Sequence, residues 1–94
     1  MNLLQKKYIY TIIEDMIKRL TELLPGQQGI INAFGESELT IKLMEMGCVP
    51  GELVRIDKIA PLGDPISIQV AGYHLSLRLN EAEHILVETE IIEA

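Results

Sequence analysis

The 94-residue sequence has no tryptophan, one phenylalanine, three tyrosines, one cysteine and two histidines, and each scarcity removes a class of function. A groove that grips proline-rich peptides, or a platform that stacks single-stranded bases, needs clustered aromatics. Tyr8, Tyr10, Phe34 and Tyr73 are too few and too scattered to furnish either. Cys48 has no partner for an internal disulfide, whereas a small secreted domain would use several, so a reducing cytoplasm is expected. Positive charge is also short: 8 Lys and Arg against 14 Asp and Glu leave a net charge of −6, which disfavours binding to nucleic acid phosphates. No stretch approaches the roughly 20 apolar residues that span a bilayer. Glu14 and Asp15 interrupt the one apolar run that follows a basic pair, Lys6 and Lys7, and no small-residue cleavage site comes after it, so a signal peptide is not expected either. The expectation is a cytoplasmic chain that reaches a membrane only through a partner.

What is present is an ordinary globular composition, 48% apolar and 23% charged, sufficient for one compact domain. Residues 1 to 23 hold four cations against three acids, so the remainder carries a charge of about −7. From Ile9 the apolar residues Ile12, Ile13, Met16, Ile17, Leu20, Leu23 and Leu24 recur at spacings of three and four, which predicts a helix over residues 3 to 23. A strand over Tyr8 to Ile13 competes with it, because Tyr, Ile and Thr are good strand formers.

After Pro25-Gly26 the period changes to alternation. A first strand is expected over Gly29 to Phe34, with Ile30 and Phe34 on one face and Ile31 and Ala33 on the other. Ser37 to Met46 returns to helical spacing, with Leu39, Leu43 and Met46 on one side, Ser37 able to cap its start and Gly47 placed to end it. Glu38 and Lys42 stand one turn apart, a pairing worth about 0.3 kcal/mol. Pro50-Gly51 predicts a tight turn into a strand carrying Val54 and Ile56, where the phase slip of Ile59 suggests a bulge near Asp57-Lys58. Gly63-Asp64-Pro65 turns the chain again. Ile66 to Val70 and Leu75 to Leu79 then alternate cleanly about an Ala71-Gly72-Tyr73 hairpin. Asn80 to Glu83 reads as one capped helical turn, and Ile85 to Glu88 as a last strand. Five short strands with one helix of about three turns inserted after the first predict a mainly β fold, a small closed barrel, with an extra amino-terminal helix.

The inventory argues against an enzyme. Nucleophilic catalysis by Ser or Cys needs a nearby histidine and an orienting third group, and the only histidines are His74 and His84. Cys48 sits in apolar company and reads as packed. Gly26, Gly29 and Gly35 are spaced for turns and do not form a phosphate loop. Metal ligation has ligand types to draw on, namely Cys48, Met44, Met46, His74, Glu81, Glu83 and His84, without a diagnostic spacing. His74 reads as an exposed hairpin residue, His84 as a residue near the final carbonyls of its helical turn, and Met44 and Met46 as core. Arg55 and Arg78 point out of strands towards surface ion pairs, and Glu88, Glu90 and Glu93 form a solvated acidic end.

The residues at the turns carry more. The run Lys42-Leu43-Met44-Glu45-Met46-Gly47-Cys48-Val49-Pro50-Gly51 resembles the helix-to-turn signature of the FeoA domain family. Ala60-Pro61-Leu62-Gly63-Asp64-Pro65-Ile66 resembles a second signature of that family, and Leu77-Arg78 followed by Glu81-Ala82 a third. Leu20 to Leu23 with Gly26 and Gly29 resembles its opening, so the likeness spans about residues 18 to 89. Lys42 and Cys48 stand where the family often has Arg and a larger apolar residue. The resemblance implies an SH3-like barrel over residues 18 to 94 with residues 1 to 17 as a helical extension. It implies an accessory, non-enzymatic protein of ferrous iron uptake that works at the inner face of the membrane with the transporter FeoB and its GTPase domain. It also implies, as the alternative, a domain that binds Fe2+ or a similar ion directly, as in the carboxy-terminal module of metal-dependent repressors. The residues that carry it are the turn formers Gly47, Pro50, Gly51, Pro61, Gly63 and Pro65, with His74 and His84 the only nitrogen ligands available to a metal. No cofactor is required on this reading. The apolar extension is expected to bury its stripe against the barrel or against a second copy.

Overall fold

The computed structural model of the protein describes residues 1–35 and 38–89, with the backbone alone at 13–15. The elements run α1 (Leu3–Met16), β1 (Ile17–Arg19), a 3-10 turn (Leu20–Glu22), β2 (Gln28–Phe34), α2 (Leu39–Glu45), β3 (Leu53–Ile59), β4 (Ile66–Val70), β5 (Tyr73–Leu77), α3 (Leu79–Ala82) and β6 (Ile85–Glu88).

α1 starts on a reciprocal cap: the Asn2 Oδ1 accepts the Gln5 N–H at 2.8 Å and the Gln5 Oε1 accepts the Asn2 N–H at 2.9 Å. It stops at Met16 and does not run on to residue 23. There the chain joins a ladder, with Ile17, Lys18 and Arg19 opposite Glu88, Val87 and Leu86 of β6. The Met16 carbonyl, which a longer helix would have used, accepts both the N–H of Thr89 at 2.7 Å and its hydroxyl at 3.2 Å. Strand pairing with a distant segment thus overrides helical spacing and adds a sixth strand to the five expected. The carboxylate of Glu22 accepts the Arg19 N–H at 3.0 Å and opens the 3-10 turn, which drops Leu20 and Leu23 into the core. Of the extension's apolar stripe, Ile12, Met16 and Ile17 are half-buried and Ile9 is exposed, while Leu3, Leu4, Tyr8 and Tyr10 beside it are exposed.

All six strands form one antiparallel sheet in the order β1-β6-β2-β3-β4-β5. Inward residues of β2, β3, β4, β5 and β6 (Ile31; Val54 and Ile56; Ile66, Ile68 and Val70; Leu77; Ile85 and Val87) share a single core with Leu20, Leu43 and Cys48. A sheet whose strands from β6 round to β5 all feed one core is curled, in keeping with the small barrel expected. The register slips between Ile56 and Lys58, the bulge anticipated at Asp57. Ala71 at φ 51° and Gly72 at φ 81° supply the paired positive φ of a two-residue hairpin.

α2 has seven residues, two turns where three were expected, and Ser37, the expected cap, lies outside the described residues. Leu43 is buried, with Leu39 and Met46 packed beside it, but Met44 is 43% exposed and points away from the core it was assigned to. Gly47, at φ 101°, ends the helix, and the Cys48 N–H returns to the Leu43 carbonyl at 3.0 Å. β5 ends at Leu77, so Leu79 belongs to α3. The capping pair is Arg78 with Glu81, two residues earlier than Asn80 with Glu83.

Candidate functional site

The three sequence motifs meet at α3. The Lys42 ammonium, from α2, lies 2.9 Å from Glu81 Oε2, while Glu81 Oε1 accepts the Arg78 N–H at 2.9 Å. The second motif joins through Asp64, whose Oδ1 accepts the Leu79 N–H at 3.0 Å. A single four-residue helix therefore holds the α2 corner on one side and the 60–65 turn on the other. Lys42 turns to Glu81 and not to its neighbour Glu38, a contact that helical spacing alone did not suggest.

Glu81 is the only charged side chain buried among the described residues, at 6% exposure. An unpaired carboxylate there would be costly, and the Lys42 ammonium at Oε2 and the Arg78 N–H at Oε1 offset that cost in part. The Lys42 hydrogen bond, followed by that of the Arg78 N–H, holds the Glu81 carboxyl below its usual value of 4.5. Cys48, fully buried, has the opposite fate: burial first, then the Glu81 charge, pushes its thiol up to about 11. A thiol held protonated at neutral pH is neither a nucleophile nor a ready metal ligand.

The turn formers bound this region. Gly47, Gly51 and Gly63 adopt φ of 101°, 94° and 87°, which other residues rarely tolerate, and the Asp64–Pro65 peptide is cis. The Ala60 carbonyl accepts the Gly63 N–H at 2.7 Å and the Pro65 carbonyl accepts the Ala60 N–H at 3.1 Å, which closes the loop bearing Pro61. Pro50-Gly51 is pinned to β2, where the Ile31 carbonyl accepts the Gly51 N–H at 2.8 Å.

The histidines fall elsewhere. His74, on β5, is exposed and its Nδ1 lies 3.0 Å from the carboxylate of Asp57, the residue at the β3 bulge. His84 follows α3: its N–H donates to the Glu81 carbonyl at 3.2 Å and its own carbonyl accepts the Gly35 N–H at 2.8 Å. No three His, Cys, Asp or Glu side chains converge as a metal site among the described residues. Among the described residues His74 and Asp57 make a two-ligand contact, fewer than the three or four protein ligands of a closed metal site. Arg55 and Arg78 make no side-chain ion pair among the described residues. Arg55 instead lines an open groove of about 580 Å³ near the starts of β2 and β3 with Lys18, Gln28, Leu53 and Glu88.

What the site presents outward is apolar. Ile41 (70% exposed) and Met44 stand on the solvent side of α2, and Leu62 (96% exposed) tips the 60–65 turn. These are the two elements that α3 fastens, so each can offer exposed apolar side chains from a fixed position. No described helix is long and apolar enough to cross a membrane.

A small curled sheet whose motif residues shape turns and clamp loops defines a compact SH3-like module. Its residues 18–89 match the FeoA domain model, and the chain belongs to that family. It is 37% identical over 71 residues to the Fe(2+) transport protein A/Fe(2+) transporter FeoB fusion protein of Porphyromonas gingivalis; the match takes in 74% of this chain but only 8% of that much longer one. The FeoA-like protein of Clostridium acetobutylicum superposes with a TM-score of 0.74 at 38% identity, covering 84% of this chain and 93% of its own. FeoA of Stenotrophomonas maltophilia, a prokaryotic SH3 domain protein complexed with zinc, gives a TM-score of 0.64 at 28% identity over 73% of this chain and 87% of that one.

Proposed function

We propose that the protein is an accessory component of bacterial ferrous iron uptake, a cytoplasmic, non-enzymatic module that binds the cytoplasmic part of a FeoB-type transporter. The Porphyromonas gingivalis fusion carries this reading, because there a relative of this domain and the transporter share one polypeptide. The exposed apolar side chains Ile41 and Met44, and separately Leu62, suit such docking: they sit on elements fixed by the Lys42–Glu81 pair and the Asp64 cap, so little ordering is lost on binding. The test is co-purification of the protein with the transporter's cytoplasmic region in nucleotide-free, GTP-analogue and GDP states. Binding in at least one state, weakened at least tenfold by Ile41→Asp or Leu62→Asp, is the expected result. No binding in any state would overturn the reading.

Direct binding of Fe2+ or a similar ion is a second reading, favoured by the His74–Asp57 pair and by zinc in the Stenotrophomonas maltophilia relative. Anaerobic calorimetry with Fe(II) and Mn(II) separates the two. Heat that His74→Ala abolishes supports a metal contact at Asp57 and His74, and heat unchanged in that variant removes it.

A further inference from the structure

β2 leaves part of its backbone unmatched at its start. The Gln27 carbonyl accepts the Ile56 N–H at 3.0 Å, and the Ile31 N–H donates to the Glu52 carbonyl at 2.9 Å. In that register the bonded pairs with β3 fall at 27, 29 and 31, so Gln28 and Ile30, opposite Arg55 and Leu53, turn their own N–H and C=O groups to the other side. There Ile30 meets Glu88 of β6, the last rung between those two strands among the described residues. Gln28 lies one rung further, with no described strand opposite it. It opens onto the groove of about 580 Å³ that it lines with Lys18, Ile30, Leu53, Arg55 and Glu88, a volume within the roughly 300–1,000 Å³ usual for binding pockets.

The side chains around that groove are of three kinds. Ile30 and Leu53 are cross-strand partners, 38% and 48% exposed, and make an apolar step. Lys18 and Arg55 come from β1 and β3, which two other strands separate in the sheet, yet both reach this groove. Neither makes an ion pair among the described residues, in a chain whose net charge is −6. Glu88 is already engaged, because its carboxylate accepts the side-chain N–H of Asn32. We propose that the groove takes an extended, acidic segment of a partner protein. The backbone of that segment adds a rung at Gln28, an acidic side chain meets Lys18 and Arg55, and an apolar one rests on Ile30 and Leu53.

Other occupants fit less well. A proline at the rung has no N–H to give to the Gln28 carbonyl. A nucleic acid strand brings a phosphate at every step to a chain of net charge −6. A small anion would leave the apolar step and the Gln28 carbonyl without a partner. The inference goes beyond binding to the transporter and uses none of the side chains assigned to it, which stand on α2 and the 60–65 turn.

The probe is a capped peptide, acetyl-Val-Glu-Ile-Glu-Val-amide, titrated into the isotope-labelled full chain and followed by its amide spectrum. Saturable shifts are expected at Lys18, Gln28, Leu53 and Arg55, with hydrogen exchange of the Gln28 amide slowed about tenfold. Replacing both acids of the peptide by Gln, or Lys18→Gln/Arg55→Gln in the protein, should weaken binding about tenfold while the remaining amide signals of the variant keep their places. Lys18→Glu/Arg55→Glu should instead prefer acetyl-Val-Lys-Ile-Lys-Val-amide. Absence of shifts at millimolar peptide overturns the proposal, and so does a Gln-containing peptide that binds as well. Equal shifts from N-acetylglutamate amide would reduce the groove to an anion site, and equal shifts from oligothymidylate would assign it to nucleic acid; either result also overturns it. None of these readouts involves the transporter, so they stand apart from its binding assay.

Discussion

Glu81 joins elements that are distant in sequence, and its charge is what they share. Because its folded carboxyl titrates below 4.5, its contribution is fully present above that value and is lost as pH falls through the folded one. Urea unfolding across pH should therefore show Glu81→Gln less stable by about 2 kcal/mol at pH 7, with the gap closing under acid. A constant gap at all pH values would mean that packing, not charge, is what the residue supplies. Cys48 titrates on the other side. With its thiol raised from 9.0 to about 11, the unfolded chain loses the proton first, so stability should fall as pH rises from 9 towards 11. Cys48→Ala should flatten that alkaline limb relative to the parent. A thiol reagent at pH 8 should label Cys48 only after urea is added; labelling of the native chain would contradict its burial.

Among the elements, β2 meets β6 closely at Gly29. A Cβ there would sit 2.8 Å from the Glu88 carbonyl oxygen and 3.1 Å from Val87 Cβ, and backbone cannot move aside as a flexible side chain would. Gly29→Ala should cost about 2 kcal/mol, measured by chemical unfolding, whereas Gly26, with open space around it, tolerates added bulk and loses only by its φ. This closeness was not legible in the sequence, where Gly29 reads as a turn former. The same divide separates the rest. β4, β5, the Pro50–Gly51 turn and the bulge at Asp57 follow from alternation and local turn chemistry, and each was legible. β1 was not, because three residues with helical spacing become a strand only through pairing with β6. The site divides likewise: its motif turns could be read, but the Lys42–Glu81 pair joins residues that no local rule connects.

At the scale of the whole molecule, the exposed amino-terminal part of α1 should contribute little to the stability of the barrel. Leu20 is fully buried at the junction, and Leu20→Ala should cost about 3 kcal/mol of barrel stability. Leu3→Asp, at a 75% exposed position, should change it by no more than about 0.5 kcal/mol. A large loss from Leu3→Asp, followed by the barrel's unfolding transition, would show that the extension supports the fold. Thr89 fixes the layout of the molecule by gripping the Met16 carbonyl with both its amide and its hydroxyl. The polypeptide thus enters and leaves the barrel at one point, as a bead does on a loop of thread. A host protein could carry this domain inside one of its own surface loops without stretching either flank.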